Sequence, residues 1–420
     1  MGAGAAAIFA SAGIPTTMLA RTIEKAEAGR AKAEQMSKGK VAPKSIAVGT
    51  YDNDLATVAA DADLIFECVA EDLETKRQVF AQVDRVRAQG SVVATVSSGL
   101  SIAAMCAGQS DDFRAHFLGI HLFNPPTIIR GCELIPHTGT DPQVTTAVKE
   151  LLESALDRVV VTCADTPAFA GNRIGFKLLN EVAMLAEQHG VAYMDQLVGT
   201  HTGRALAPLA TIDLVGWDVH KAIVDNLHAT TRDECHDDFA LPAYMQRMID
   251  RGHLGRKTRD KGGFFRVEGK GADAITFVLD PATGDYAKLA EVQPPMPTFI
   301  ERMKHALRDG KHAEAFDVLC TTDGQDAKLL RRIMLGYISY ALGRVGEVVE
   351  HPRDVDRIMG FGFNWAPPSV LVDAIGAART IDLLDREGLM VPPVLAEVAI
   401  AGRALYDEPH EPARFFTVAA

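Results

Sequence analysis

The sequence is constrained most by the apolar run Phe117-Leu118-Gly119-Ile120, which is followed directly by His121. The run has the length and composition of a short buried strand. His121 would then lie at the carboxyl end of that strand, where open α/β sheets place their ligand crevice. A histidine that only satisfies a nearby carbonyl group produces the same pattern, so the residues alone leave both interpretations open.

Glu133 follows His121 by twelve residues and directly precedes the apolar pair Leu134-Ile135. A strand that begins there would bring the carboxylate back towards the imidazole. Such a pair fixes the tautomer of a histidine and stabilises its protonated form, which suits proton transfer. The alternative from spacing alone is that Glu133 is an ordinary surface acid.

The stretch His121-Leu122-Phe123-Asn124-Pro125-Pro126, with Glu133 at this offset, resembles the signature H-F-F-N-P-P…E of the L-3-hydroxyacyl-CoA dehydrogenases. Leu122 in place of phenylalanine is a conservative apolar departure. The resemblance implies that His121 is the base that takes the hydroxyl proton and that Glu133 orients it.

Length, charge and cysteine usage limit the class of protein. A chain of 420 residues is expected to form two or three domains. No uninterrupted apolar run reaches the length of about 18 residues that a membrane span needs, and no leader pattern opens the sequence. The net charge of −12 argues against a general nucleic-acid or anionic-membrane surface. The six cysteines lack CxxC or metal-like spacing, so we expect reduced thiols, no metal and a cytoplasmic location.

The first residues predict an α/β domain of Rossmann type that lacks its first strand. Positions 1–13 read as a small-residue helix with a glycine stop, and 14–19 as a strand. In dinucleotide-binding units a strand precedes G-x-G-x-x-G, and Gly2 would be the third glycine of that fingerprint. Gly4 would be a further family glycine, and both are assigned to cofactor binding.

The missing strand is central in the order 3-2-1-4-5-6, so its two neighbours would lack a ladder partner. We therefore hypothesise that Met1 is an internal methionine of a longer protein. The alternative is a shortened paralogue that has lost activity. Ala20 stands where the family has an acid that binds the adenosine ribose, and Arg21 follows it. NAD is the expected cofactor, while an arginine at this place leaves NADP open.

Residues 62–76 resemble the family stretch A-D-L-V-I-E-A-V-x-E-x-x-x-x-K. The resemblance implies that Glu71 and Lys76 lie beside the nicotinamide half of the cofactor. Without it, both would be ordinary surface charges at the start of a helix.

Two further stretches carry site residues. Residues 95–99 resemble the family's S-N-T-S-S, which implies that Ser98 contacts the substrate hydroxyl. From the residues alone it would be a helix-cap or turn serine ahead of the helix that starts at Ile102, and both roles can hold together. Residues 165–173 resemble D-x-P-G-F-I-x-N-R, which implies that Asn172 lies on the substrate side and Arg173 is its structural neighbour. An isolated Asn-Arg pair would instead mark the first turn of a helix.

The rest of the chain predicts a duplicated all-helical domain with a strand-like insert. Positions 195–218 and 354–376 both read as an acidic helix start, a glycine/proline loop and an apolar helix that carries an aspartate. Between them, 276–279 and 285–289 read as strands joined by the turn 281–284. The predicted domains are 1–164 (NAD-binding), 165–266 (first helical copy), 267–324 (insert) and 325–420 (second copy).

The resemblance implies an oxidoreductase of fatty-acid β-oxidation that interconverts L-3-hydroxyacyl-CoA and 3-ketoacyl-CoA. Its expected partners are an acyl-CoA substrate and a second copy of the chain in a homodimer. Fused β-oxidation proteins also carry an enoyl-CoA hydratase module, for which no residues remain here, so a separate hydratase partner is conceivable. A non-catalytic acyl-CoA-binding or scaffold paralogue, and a dehydrogenase of free hydroxy acids, are the alternatives.

Overall fold

The computed structural model describes residues 1–401 and 414–416, which divide into two compact units. The first contains Met1–Ala170, Gly346–Glu350 and Phe361–Phe363. The second contains Gly171–Val345, His351–Gly360 and the described part of Asn364–Ala420.

The first unit alternates helices and strands. In chain order these are α1 (Gly2–Ser11), β1 (Thr17–Ala20), α2 (Ile23–Met36), β2 (Ala47–Thr50), α3 (Tyr51–Ala60), β3 (Leu64–Glu67), α4 (Leu73–Val86), β4 (Val92–Thr95), α5 (Ile102–Met105), α6 (Asp111–Ala115), β5 (Phe117–Leu122), β6 (Gly131–Pro136), α7 (Pro142–Glu150) and β7 (Val159–Thr162).

The strands of this unit form two sheets. β1 and β2 pair in parallel, and the larger sheet has the order β3-β4-β5-β6-β7, parallel except for the antiparallel pair β5–β6. Among the described residues, β1 pairs only with β2 and β3 pairs only with β4. The prediction of a Rossmann-type sheet without its first strand, with two neighbours lacking a ladder partner, is confirmed.

Helix α1 contributes its small residues to the core of this unit. Ala5, Ile8 and Phe9 are buried with apolar residues of β4, β5 and β6, and the Phe9 ring meets that of Phe66 edge-on at 5.8 Å between centroids. Burial of a side chain as large as that of Ile8 or Phe9 contributes about 1.5–3 kcal/mol. The predicted glycine stop is present, because Gly13 has a φ of +78°.

The acidic stretch 52–54 lies in the first turn of α3. Asp54 accepts the backbone N–H of Thr50 at 2.7 Å, which satisfies a group at the helix start. Negative side chains are also favoured there by the helix dipole.

The second unit is mainly helical. Its elements are α8 (Gly171–His189), α9 (Val191–Leu197), α10 (Pro208–Val215), α11 (Trp217–Thr230), α12 (Ala243–Asp250), β8 (Phe265–Glu268), β9 (Ile275–Leu279), β10 (Tyr286–Lys288), α13 (Leu289–Val292), α14 (Thr298–Arg308), α15 (His312–Thr321), α16 (Gln325–Gly343), α17 (Pro352–Ile358), α18 (Pro368–Ile375), α19 (Ala377–Glu387) and α20 (Pro393–Ala401).

The predicted duplication is visible in the helices. α8 and α16 each have 19 residues. The pairs α10–α11 and α18–α19 are each joined by one glycine, Gly216 or Gly376, with a φ of +101° or +94°. Arg204 and Trp365, from the loops of the two copies, form an antiparallel bridge. The two copies therefore pack as related halves of one unit.

The aspartates of the two copies differ in their surroundings. Asp213 is buried and accepts the backbone N–H groups of Phe264 and Phe265 at 2.9 Å and the Trp217 indole N–H at 2.7 Å. Asp373, its counterpart in the second copy, is exposed. The first copy thus uses its aspartate to fasten its own last segment onto α10 and α11.

The insert contains more structure than the sequence predicted. The two expected strands are present as β9 and β10, and β8 pairs with β9 to complete an antiparallel sheet of three strands. α14 and α15 follow them, although no helices were predicted there. None of the helices in the described part of the chain is long and apolar enough to cross a membrane.

Candidate active site

Strand pairing brings His121 and Glu133 together. β5 and β6 run antiparallel with His121 opposite Glu133 in the register, and the imidazole Nδ1 lies 2.5 Å from the carboxylate Oε2. His121 is 5% exposed and Glu133 is fully buried. Because the carboxylate accepts from Nδ1–H, the other ring nitrogen, Nε2, is the one able to exchange a proton with a ligand.

The other carboxylate oxygen of Glu133 is also held. Its Oε1 accepts the backbone N–H of Ala170 at 3.0 Å and lies 3.6 Å from the Cys163 thiol, which donates to it. Ala168 and Phe169, just before Ala170, both have left-handed backbone conformations, with φ of +58° and +55°. This tight turn is what presents the Ala170 N–H to the carboxylate.

Aromatic rings flank the imidazole. Phe123 lies edge-on at 4.8 Å and Phe169 at 5.9 Å between ring centroids. Sequence reasoning did not identify Cys163, Phe169 or Ala170 as part of this site. Phe169 and Ala170 lie in the stretch 165–173 that resembles the family motif, whereas Cys163 lies outside it. A backbone donor or an aromatic neighbour cannot be recognised from the residue type alone.

Asp165 fastens a second segment to the same region. Its carboxylate accepts the N–H groups of Ile102 and Ala103 at 2.8 Å and the Ser101 hydroxyl at 3.0 Å. Ser101 also caps α5, because its hydroxyl accepts the Ala104 N–H at 3.2 Å. Ser101, and not Ser98, is therefore the cap of α5, whereas Ser98 lies in the turn ahead of that helix, which the residue-based interpretation also allowed.

Ser98 lies just beyond the carboxyl end of β4, and His121 lies near the carboxyl end of the neighbouring parallel strand β5. Both belong to the edge of the sheet where α/β folds bind ligands. The Ser98 N–H donates to Glu71 Oε1 at 2.8 Å, and the Ser97 hydroxyl donates to the same oxygen at 2.6 Å.

Asn172 belongs to the second unit. It is in the first turn of α8, as an isolated Asn-Arg pair predicts, and is buried. The adjacent Arg173 donates to Asp233 Oδ2 at 2.8 Å within that unit. A structural role for Arg173 agrees with this contact.

The start of α1 fits an anionic group. Met1 supplies no side-chain cap and the first turn holds no acid, so free backbone N–H groups remain at a positive helix end. A Cβ on Gly2 would meet only ordinary contacts, at 3.5 Å from Cys68 Cβ. A Cβ on Gly4 would lie 2.5 Å from Pro126 Cγ, so Gly4 also has a packing role. The diphosphate of a dinucleotide is compatible with this helix start.

Glu71 and Lys76, assigned to the cofactor, differ in exposure. The side chain of Glu71 is 44% exposed, whereas that of Lys76 is fully buried against Glu67 and Glu71. The interpretation of Lys76 as a surface charge is wrong. Sequence reasoning also missed Glu67, the last residue of β3.

A group of potential metal ligands also occurs in the described residues, away from these side chains in the sequence. One ligand atom each of His228, His236 and Asp237 lie within 4.8 Å of one another. The Arg232 guanidinium lies 3.3 Å from His236 Nδ1, and its positive charge disfavours a cation there. The cysteines are all free thiols.

Comparison with known proteins agrees with this geometry. The family model of the 3-hydroxyacyl-CoA dehydrogenase NAD binding domain matches residues 1–166, and that of the C-terminal domain matches residues 169–264. The first unit is therefore an NAD-binding domain of a dehydrogenase. A probable 3-hydroxyacyl-CoA dehydrogenase of Bacillus subtilis is 32% identical over 435 residues, which covers 97% of this chain and 54% of the relative. A protein of the same description from Deinococcus radiodurans is 32% identical over 280 residues, covering 63% of this chain and 80% of the relative.

The chain belongs to the 3-hydroxyacyl-CoA dehydrogenase family. It spans about half the length of the Bacillus relative. Among solved structures, 3-hydroxybutyryl-CoA dehydrogenase from Escherichia coli K12 matches with a TM-score of 0.66 and 21% identity over 96% of both chains, which is a likeness of fold. FadB2 of M. tuberculosis matches with a TM-score of 0.57 and 27% identity, covering 62% of this chain and 93% of that one.

Proposed function

We propose that this chain catalyses the NAD-dependent interconversion of an L-3-hydroxyacyl-CoA and a 3-ketoacyl-CoA in fatty-acid β-oxidation. The observation that carries the proposal is the buried His121–Glu133 pair, with 2.5 Å between Nδ1 and Oε2, at the ligand-binding edge of an NAD-binding domain. Relatives described as 3-hydroxyacyl-CoA and 3-hydroxybutyryl-CoA dehydrogenases support the same substrate class.

In the oxidative direction, His121 takes the proton of the C3 hydroxyl on Nε2. NAD, when bound, supplies the acceptor for the hydride that leaves C3. Glu133 stabilises the protonated imidazole, and its own position is held by the Ala170 N–H and the Cys163 thiol. The reverse reaction returns the proton from the imidazole to the oxygen.

Ser98 and Asn172 are proposed to hold the reacting oxygen. Hydrogen-bond donors there stabilise the charge that develops during the reaction, and removal of one such donor costs about 10²–10³-fold in rate. The position of Ser98 beyond the carboxyl end of β4 supports its assignment. That of Asn172 rests on the family motif that continues into α8.

Gly2, Gly4, Glu71 and Lys76 are proposed to serve the NAD site. Gly2 and Gly4 lie in the uncapped first turn of α1, and Glu71 offers an exposed carboxylate beyond the end of β3. The exposed Arg21 beside Ala20 makes NADP the competitor to test.

The domain division 1–164, 165–266, 267–324 and 325–420 is likewise a proposal. It is supported by the family-model limits at 166 and 169 and by the unit boundary after Ala170. We further propose a cytoplasmic homodimer that works with a separate enoyl-CoA hydratase. Relatives described as putative trifunctional enzymes of a fatty acid oxidation complex support a link to further activities of that process.

The test is a spectrophotometric assay of NAD reduction with L-3-hydroxyacyl-CoA substrates of short, medium and long acyl chains. Free L-3-hydroxy acids and NADP are run in parallel. The proposal expects turnover with CoA thioesters that disappears in the His121→Gln variant. Binding of NAD and acyl-CoA without turnover by the parent chain would contradict it and favour a non-catalytic protein.

A further inference from the structure

A buried lysine lies between two carboxylates at the carboxyl ends of β3 and β4. Lys76 Nζ is 2.9 Å and 3.1 Å from the two carboxylate oxygens of Glu67, and 3.4 Å from Glu71 Oε2. Its side chain has no exposed surface. An ammonium group without partners would be costly in such a place. Lys76 therefore remains paired with the two acids, of which Glu71 is the more exposed.

The Glu67 end of this arrangement is anchored to the sheet. Glu67 is the last residue of β3 and is 6% exposed. Its Oε2 accepts the hydroxyl of Thr95, the last residue of β4, at 2.6 Å, and its Oε1 accepts the backbone N–H of Val69. The carboxylate is thus fixed by two neighbouring strands and by Lys76.

At the other end of this arrangement, Glu71 accepts hydrogen bonds from the turn that carries Ser98. Glu71 Oε1 accepts the Ser97 hydroxyl at 2.6 Å and the Ser98 N–H at 2.8 Å. The Ser97 oxygen in turn accepts the Leu100 N–H at 3.1 Å. One oxygen of Glu71 therefore closes the turn that carries Ser98, and its other oxygen faces Lys76.

We propose that Glu67 and Lys76 are positioning residues that fix the Glu71 carboxylate and, through it, the turn that holds Ser98 against the reacting oxygen of the substrate. The role given to Ser98 rests on the proposed function. The line of contacts runs from the β3–β4 pair through Lys76 to Glu71 and ends at the Ser98 N–H. This positioning role is additional to the place of Glu71 and Lys76 in the proposed NAD site.

Amide hydrogen exchange in the full chain without cofactor tests the contacts themselves. The double variant Glu67→Gln/Lys76→Met removes the buried pair without leaving a single uncompensated charge. Both hydrogen bonds to Glu71 remain possible in it. We expect exchange at the Ser98 amide to be faster by on the order of tenfold, while the amides of β6 keep their parental rates.

Glu74→Gln is the matched control, because Glu74 is exposed on the same helix and contacts Gln78. It should leave exchange at Ser98 unchanged. The single variant Glu71→Gln covers the case in which the double variant does not fold, since this half-exposed side chain keeps an acceptor and loses only the charge that pairs with Lys76. Parental exchange at Ser98 in a folded Glu67→Gln/Lys76→Met or Glu71→Gln protein overturns the proposal.

Kinetics separate positioning of the substrate site from contact with the cofactor. Glu71→Gln and Ser97→Ala should each lower kcat by on the order of 10- to 100-fold. Ser97→Ala, which changes no residue of the proposed NAD site, should leave KM for NAD little altered. Because Glu71 and Ser97 act on one turn, the double variant Glu71→Gln/Ser97→Ala should be no slower than the slower of the two single variants. Ser97→Thr, which keeps the hydroxyl, should restore the rate.

Effects that multiply in the Glu71→Gln/Ser97→Ala double variant, or a rise in KM for NAD without a fall in kcat in Ser97→Ala, would overturn the positioning role. A parent chain without dehydrogenase turnover would contradict the proposed function instead. The exchange experiment would still decide whether Glu67 and Lys76 hold the Ser98 turn.

Discussion

Each unit of the chain contains a buried ionic cluster, and the two clusters differ in how completely their atoms are used. In the first unit, His121 pairs with Glu133 through Nδ1. Among the described residues, Nε2 of His121 has no hydrogen-bond partner. In the second unit, Asp233 Oδ2 accepts from Arg173 and from the Tyr340 hydroxyl at 2.8 Å, and from Arg344 at 3.2 Å.

The difference indicates that the His121–Glu133 pair serves a reaction, whereas the cluster around Asp233 stabilises the fold. Arg173 belongs to α8 of the first helical copy, whereas Tyr340 belongs to α16 of the second copy and Arg344 directly follows that helix. This carboxylate therefore joins the two copies. Burial alone would raise the pKa of Asp233, but the hydrogen bonds from Arg173 and Tyr340 outweigh it and hold the pKa below its ordinary value. The His121–Glu133 pair of the first unit joins two adjacent strands that already pair, and it leaves Nε2 of His121 open for a ligand.

The largest expected effect is the loss of turnover in His121→Gln. General-base catalysis contributes about 10²–10⁴ in rate, and this variant should lose that factor in kcat. Binding of NAD, measured by fluorescence titration, and the melting temperature should stay close to parental, because β5 and β6 keep their pairing. If His121→Gln melted at a far lower temperature but kept normal turnover when folded, His121 would have a structural role and the assignment of the two clusters would be reversed.

Asp233→Ala is expected to act in the opposite way. It leaves Arg173 and Arg344 without their shared acceptor, and breaking a buried ion pair costs about 3–5 kcal/mol. Chemical denaturation should show this loss, while turnover of the folded fraction falls far less than in His121→Gln. Asp237→Ala, at an exposed aspartate nearby in the sequence, is the control and should unfold like the parent.

Asp356 extends the comparison because it is a buried carboxyl group whose hydrogen bonds come from the neutral residue Ser369. Burial raises its pKa from 3.8 to about 8, against the opposing hydrogen bonds from Ser369. A folded-state pKa above the unfolded one means that its stabilising contribution is full below the unfolded value and is lost as pH rises through about 8. The unfolding free energy should therefore fall by at most about 1.4 kcal/mol per pH unit in this window.

Replacement of Asp356 by asparagine should remove that part of the pH dependence. Denaturation curves of the parent and of Asp356→Asn, measured at several pH values between about 4 and about 8, test this expectation. Curves that fall in parallel for the two proteins would show that Asp356 is not protonated in the fold.

The smallest expected effect concerns the turn that presents Ala170 to Glu133. Ala168 has a φ of +58°, where a Cβ costs about 1–2 kcal/mol relative to glycine. Ala168→Gly should raise the unfolding free energy by up to about 1 kcal/mol, because glycine also gains entropy in the unfolded chain. Ala170→Gly is the matched variant without this strain, and it should destabilise. Equal changes in melting temperature would argue that the turn is unstrained.

The main features of the fold and the His121–Glu133 pair could be predicted because they depend on short patterns in the sequence. The run 117–120 and the pair 134–135 marked two strands, and the twelve-residue spacing allowed His121 to face Glu133. The repeated glycine/proline loops marked the duplication. The two glycines that join its helix pairs have positive φ, which glycine accepts readily.

The remaining features depend on contacts between distant segments. Lys76 looked like a surface charge because the acid that buries it, Glu67, lies on a strand nine residues earlier and reaches it only in the fold. The donors to Glu133 include a backbone N–H at Ala170, which every residue except proline has. α14 and α15 went unpredicted although they pack against each other in the second unit.

The most direct test of the account is the single-turnover rate of NAD reduction in Glu133→Gln. Glutamine keeps the shape and the acceptor for Ala170, and it removes the charge that supports the protonated imidazole of His121. The account predicts that the chemical step slows by at least about tenfold, with affinity for acyl-CoA and the melting temperature little changed. A parental single-turnover rate, or an equal loss in Glu74→Gln, would contradict the claim that this buried pair performs the proton transfer.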